Sequence, residues 1–168
     1  MDTVMTLIAA FTGSLGFAVL FGVRNKLLLP ASLGGLISWG TYLLFTCFFT
    51  EKHMFFNYFM ATVIVAVYVH IMAYSLKAAT IVFLFPSIIP LVPGSDLYYT
   101  FLYLCQNERD QMNLHIGNLC RFVFSIAAGM TVVWAVKSVI RNIKQMLERL
   151  FSDKRSLTEE ELLKKYYS

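Results

Sequence analysis

The chain has 168 residues, 58% of them apolar and only 14% charged, and it carries a formal net charge of +4. A water-soluble domain is usually roughly 45–50% apolar and about 25% charged, so this composition, with a mean hydropathy of +0.64, excludes an ordinary soluble fold, which has too little polar surface to cover so much Phe, Leu, Ile and Val. Eight of the fourteen Lys and Arg residues fall between Lys137 and Lys165; a basic tail suits the anionic inner face of a membrane, and no basic, aromatic-interleaved folded surface remains for nucleic acid.

Apolar runs of about 20 residues are long enough to cross a bilayer as helices. The first is Thr3 to Val23. Asp2 stands where a signal peptide would carry basic residues, the run is too long for a signal core and no A-x-A site follows, so it reads as a retained span. Arg24-Asn25-Lys26 ends it. The second run is Pro30 to Thr50, with Pro30 suited to a helix start because its missing N–H has no partner to lose there; Glu51-Lys52-His53 closes it. The third is Phe55 to Leu76, closed by Lys77. The fourth, Ala79 to Cys105, is interrupted by Pro86, Pro90, Pro93 and Gly94. A polar stretch from Gln106 to Asn113 precedes the fifth, Gly117 to Ile140.

Five spans put the termini on opposite sides. With the tail in the cytoplasm, Arg24, Lys26 and Lys77 also face inward, and the outer loops keep only Lys52 beside Glu51 and Arg109 between Glu108 and Asp110, the bias that positive-inside topology requires. A four-span arrangement with a re-entrant fourth run places Arg24 and Lys26 opposite the tail and fits less well. Gly34 with Ser38, and Ser125 with Gly129, are small residues four apart, and Gly13 and Gly16 line one side of the first span; such positions allow close helix approach in lipid. Cys47, Cys105 and Cys120 form no C-x-x-C pair and are expected as buried small apolar residues.

After Arg141 the chain changes character. Ile143, Met146, Leu147, Leu150 and Phe151 recur at helical spacing, and Ser156 with Glu159 is a capping box for a second short helix. The expected architecture is all-α: a polytopic membrane bundle of about five spans over residues 1–140, with a proline-broken fourth span, and a basic amphipathic cytoplasmic tail over 141–168. The tail lies on the membrane surface or docks a partner.

The most informative segment is F-P-S-I-I-P-L-V-P-G-S-D-L-Y-Y-T, Phe85 to Thr100. Three prolines and a glycine so close together cannot form a regular helix, and backbone broken at membrane depth is tolerated where it is buried in protein or lines a cavity. Discontinuous spans of this kind mark substrate sites in transporters. Ser95 or Asp96 is expected to cap a half-helix from Leu97 to Cys105, whose free N–H groups suit a carboxylate. Asp96 is the acidic residue within the apolar runs; it carries a proton, binds a substrate ammonium group, or simply caps the helix. His70, one turn from Tyr74, is a second candidate for proton coupling. Arg121 snorkels to the interface, pairs with Asp96 or holds a substrate carboxylate. Asn57 and Thr62 are minor candidates. No H-E-x-x-H, P-loop or G-x-S-x-G motif is present, and His53, His70 and His115 lack metal-site spacing. Neither an enzyme nor a bound cofactor or metal is expected.

The segment P-S-I-I-P-L-V-P-G-S-D-L-Y, with L-F-G-V before basic residues and L-x-x-x-x-L-G-G-L-I-S-W in the second span, resembles the threonine/serine exporter family, in particular its small YjjB-like subunits, from about Gly13 to Thr131. Gly22 departs from an Asn common in that family. The resemblance implies export of small amino acids such as threonine and serine or of dicarboxylates such as succinate. It also implies a larger YjjP-like partner that carries a cytoplasmic domain missing here. It assigns Pro86, Pro90, Pro93 and Gly94 to the family's proline motif. The expected function is therefore that of a secondary-exporter subunit in the cytoplasmic membrane, with Pro86, Pro90, Pro93, Gly94, Ser95 and Asp96 forming the substrate site or gate. A homo-oligomer is a further possible assembly. The alternative is a non-transporting assembly or scaffold subunit.

Overall fold

The computed structural model describes residues 3–48 and 54–166, with side chains described as far as Arg149. Among the described residues the fold is helical throughout: α1 (Thr3–Leu20), α2 (Asn25–Phe48), α3 (Met54–Ser75), α4 (Thr80–Ile88), a short 3-10 turn (Ile89–Leu91), α5 (Gly94–Gln106) and α6 (Arg109–Tyr166). α1, α2, α3 and the apolar part of α6 are each long and apolar enough to cross a membrane, and the bent pair α4–α5 makes a fifth if taken as one span. The chain divides into two compact units, residues 1–131 and residues 132–168, the second being the C-terminal stretch of α6 with the chain end.

In the first unit α2 is central, packing against α1, α3 and α4. Its interior reverses the soluble pattern. The buried positions are Ala10, Ser14 and Ala18 on α1, Ala31, Ser32, Gly34, Gly35, Ser38 and Thr41 on α2, and Ala61, Thr62, Ala66 and Ala73 among others on α3. Large side chains such as Leu20, Phe48 and Ile71 are exposed. Lipid tails are as apolar as leucine, so helices gain nothing by hiding leucine from lipid; they gain from close backbone approach and the dispersion contacts it brings. Four of the buried hydroxyls cost little because they bond within their own helices: Ser32 to the Leu28 carbonyl (2.8 Å), Ser38 to Gly35 (2.7 Å), Thr62 to Tyr58 (2.8 Å) and Ser87 to Phe83 (2.7 Å), whereas the Ser14 hydroxyl, packed against Gly35, has no partner.

Three glycines set the closest approaches. A Cβ on Gly34 would overlap the Ser87 side chain of α4, one on Gly35 would overlap Ser14 of α1, and one on Gly129 of α6 would lie 2.9 Å from the Thr62 Cβ and 3.0 Å from the Phe59 carbonyl. Gly13 and Gly16, expected on a packing face, instead meet open space. The packing stripe of α1 is Ala10, Ser14 and Ala18, which repeats every fourth residue and keeps one face, whereas Gly13 and Gly16 lie off that line.

The helix ends share one device. After α1, the Val23 N–H bonds to the Ala18 carbonyl (3.1 Å) and Gly22 N–H to Val19 (3.0 Å), with Gly22 at φ +66°. After α3, Ala78 reaches Ala73 and Lys77 reaches Tyr74, with Lys77 at φ 49°; after α5, Glu108 reaches Tyr103 and Asn107 reaches Leu104, with Asn107 at φ 61°. These are Schellman closures, which satisfy the last carbonyls of a helix through one left-handed residue. The first two bring Arg24, Lys26 and Lys77 to the same end of the bundle, where Ala18, Val23 and Ala73 share a buried cluster with Leu27, Leu28 and Ala78 packed against it.

Several boundaries differ from expectation. α2 starts at Asn25, so Pro30 lies inside the helix, in its second turn, where its carbonyl accepts the Tyr68 hydroxyl (2.8 Å). The polar Gln106–Asn113 stretch is not a loop. Only Asn107 and Glu108 leave the helix, because the Schellman closure completes the turn within two residues. Ser156 does not begin a new helix, since α6 is already helical there and continues to Tyr166. All three cysteines are exposed rather than buried, as a small apolar thiol facing lipid needs no cover. The Glu51-Lys52-His53 close of the second run lies outside the described residues.

Gly34→Ala is expected to lower stability by about 2 kcal/mol through overpacking against Ser87, with partial recovery in Gly34→Ala/Ser87→Gly. Gly13→Ala is expected to be neutral or to raise stability by up to about 1 kcal/mol through helix propensity. Thermal loss of helical circular dichroism in detergent would compare the three; equal effects at Gly34 and Gly13 would refute the close-packing account.

Candidate functional site

The break in the fourth run is local. α4 carries Pro86 in its last turn, fully buried beside Phe83 and Ser87. Expected to be irregular from Pro86 onward, the chain instead leaves the α-helix only after Ile88, where the 3-10 turn includes Pro90. Val92 is extended (φ −68°, ψ 124°), as a residue before proline prefers, and Pro93 is the N-cap of α5. The axes on the two sides of the break differ by 59°. Leu91 is fully buried against Tyr58, Ala61, Phe122 and Ile126, so the break is anchored by α3 and α6.

α5 begins one turn earlier than expected. Neither Ser95 nor Asp96 caps it; the cap has no side-chain hydrogen bond, and Gly94 and Ser95 are exposed in the first turn. Asp96 is therefore free to look sideways. The Asn107 closure folds α6 back along α5 and brings His115, in the second turn of α6, to Asp96: Nδ1 to Oδ1 is 2.8 Å, with the side chains 20% and 17% exposed. Tyr99 and Tyr103 lie at i+3 and i+7 from Asp96, on one face of α5. Their rings stack on the imidazole at centroid separations of 5.3 and 5.5 Å. Thr100 donates to the Asp96 carbonyl (2.7 Å), closing the turn that holds the carboxylate.

An ionised Asp96 accepts the Nδ1–H of His115 and leaves Nε2 for a second partner; protonated at both nitrogens, His115 forms a charge-assisted bond. Two tyrosine faces shield the pair without sealing it. Tyr103 also borders a polar cavity of about 390 Å³ at the hairpin tip, where Asn107, Arg109 and Asn113 offer amide and guanidinium donors. The pair can hold and pass a proton. Asp96 and His115 do not line that cavity, so the paired carboxylate and imidazole and the cavity's donors are separate features of the hairpin.

The remaining sequence candidates lie elsewhere. His70 Nδ1 is 2.8 Å from the Ala66 carbonyl of its own helix; a carbonyl only accepts, so this nitrogen carries the proton. Tyr74, its neighbour one turn on, is 89% exposed. Arg121 is exposed on α6, and Asp96 is paired with His115 rather than with it. Asn57 is buried and reaches Thr46 Oγ1 at 3.5 Å. In the sequence His115 is weighed only as a metal ligand, because it lies nineteen positions from Asp96, between the polar stretch that ends at Asn113 and the apolar run that begins at Gly117. The Asn107 turn and a second helix starting at Arg109 would have disclosed the pairing.

A double-mutant cycle with Asp96→Asn and His115→Gln is expected to show a coupling of about 1 kcal/mol. The measurement is thermal unfolding of the four variants in detergent, and additive effects would refute the pairing.

A family model described as Threonine/Serine exporter, ThrE, matches residues 6–136, well over half of the chain. No curated protein and no solved structure matches.

Proposed function

The chain belongs to the threonine/serine exporter family, and we propose that it is a subunit of a secondary exporter for small carboxylate-bearing metabolites, threonine and serine or dicarboxylates such as succinate, acting with a larger subunit of that family in the cytoplasmic membrane. The observation that carries this reading is the broken helix pair whose second half opens on the Asp96–His115 pair. Discontinuous helices in transporters supply binding groups from the break while the surrounding bundle satisfies the backbone.

In this reading Pro86, Pro90, Pro93 and Gly94 hold the break as hinge and gate. Ser95 and Asp96 face the substrate. The ammonium group of threonine or serine competes with the His115 N–H for the Asp96 carboxylate, so substrate release and proton uptake occur at one group. Arg121 is a candidate for the substrate carboxylate, and His70 is the second candidate proton carrier. The basic end bearing Arg24, Lys26 and Lys77 is assigned to the cytoplasm by the positive-inside rule, and the basic tail to the same side.

The test is efflux of labelled threonine, serine or succinate from proteoliposomes, comparing this chain alone with this chain plus the larger subunit. Efflux is expected only with both. Asp96→Asn is expected to reduce the stimulation by an inward proton gradient on the order of tenfold, the scale of a typical coupling between two ligands. Normal efflux by Asp96→Asn at every gradient would remove Asp96 from coupling. If Ser95 and Asp96 variants both transport normally while tail variants break up the complex, the chain is a scaffold and the path lies in the partner.

A further inference from the structure

We propose that the groove between the C-terminal turn of α1 and helix α4 binds an anionic phospholipid, with one acyl chain in the groove and the phosphate on Arg24. The groove has a volume of about 370 Å³. Phe21, Val23 and Leu27 form one wall, and Ile81, Val82 and Phe85 the other. The rings of Phe21 and Phe85 stand 5.8 Å apart, tilted by 40°. Gly22 contributes no side chain, and nothing lies within 4 Å of where its Cβ would be. The space is therefore kept open by a residue that the left-handed turn already requires. Buried Pro86 closes the inner side, so the groove reaches the last turn of α4, just before the break.

Charge identifies the occupant. Arg24 lines the groove and is exposed. The ion pairs among the described residues are His115–Asp96 and Lys144–Glu148, so Arg24 is in neither. Lys26 and Lys77 stand at the same end of the bundle. From Thr3 to Thr50, and again from Lys52 to Ser95, the chain contains no Asp or Glu, and so α1 to α4 supply no acid for these three cations. An anion from outside these helices can therefore pair with Arg24. A small hydrophilic anion would satisfy Arg24 but gain nothing from the six apolar side chains of the two walls. An amphiphile with an anionic head satisfies both, and basic sites between membrane helices at the cytoplasmic side are suited to anionic head groups. The site does not depend on the exporter reading, because it needs only that the basic end lie at a membrane surface.

The test uses the full chain, delipidated in mild detergent and titrated with phosphatidylglycerol, with phosphatidylcholine of identical acyl chains, or with inorganic phosphate. Binding is read by native mass spectrometry and by the shift in Tm. Phosphatidylglycerol is expected to bind about fivefold tighter than phosphatidylcholine, the contribution of one basic side chain at a membrane surface, and inorganic phosphate alone is expected to leave Tm unchanged. Arg24→Gln should abolish the preference and Arg24→Lys should retain most of it. Ile81→Trp, at a position more than half exposed, should fill the groove and weaken both lipids without disturbing the core. Equal binding of the two lipids, a preference that survives Arg24→Gln, unchanged binding to Ile81→Trp, or a Tm shift reproduced by inorganic phosphate would each overturn the proposal.

Discussion

The approach of α2 to its neighbours, Gly35 against Ser14 and Gly34 against Ser87, is the contact on which the rest of the first unit depends. Inside a bilayer, water offers backbone groups no partners and the hydrophobic effect offers helices no reason to associate. What remains is dispersion between surfaces that touch closely, and it falls off steeply with distance. Glycine and serine at the crossing let the axes come near enough for that sum to matter. The exterior is left apolar, and the closest helix crossings hold alanine, glycine, serine and threonine, with Val65, Val69, Phe83 and Leu91 filling the space between them.

That packing also makes the break tolerable. Ser87, which meets Gly34, lies one residue past Pro86, and Leu91 is enclosed by α3 and α6. The irregular backbone from Ile89 to Pro93 is thus held by buried Leu91 and Pro93, with the Val92 side chain turned outward between them. The direction of α5 follows from Val92 and Pro93. An extended residue before proline cannot continue the helix, so a new axis starts at Gly94. Rigid packing before the break and a hairpin with no buried α5 residue after it divide the region into a fixed half and a half held chiefly by its pairing with α6.

The candidate site was only partly legible. Asp96 stood out in the sequence because an acid within apolar runs is rare, and the prolines because they forbid regular helix. Its partner did not stand out. His115 looks like one histidine between a polar stretch and the fifth apolar run until the turn at Asn107 is known to close within two residues. Tyr99 and Tyr103 read as ordinary interfacial aromatics until the imidazole is seen between their faces. Ser95 and Asp96 were expected as caps because both residue types favour that position. Pro93 took it instead, which released the carboxylate to bond across the hairpin.

Composition and run length by themselves determined that this is an all-α membrane protein, that it has about five apolar runs and that the fourth is broken near its prolines; the proline motif carried the family resemblance. These are local properties: span length, hydropathy and proline chemistry act within a window of a few turns and survive any packing. Tertiary structure decided which small residues pack and which face lipid, that Asp96 meets His115, and that a groove opens beside Arg24. Each of those depends on how a turn through a left-handed Gly22, Lys77 or Asn107 lays one helix against another. Residues far apart in the chain become neighbours only through that long-range geometry, and no local pattern encodes it.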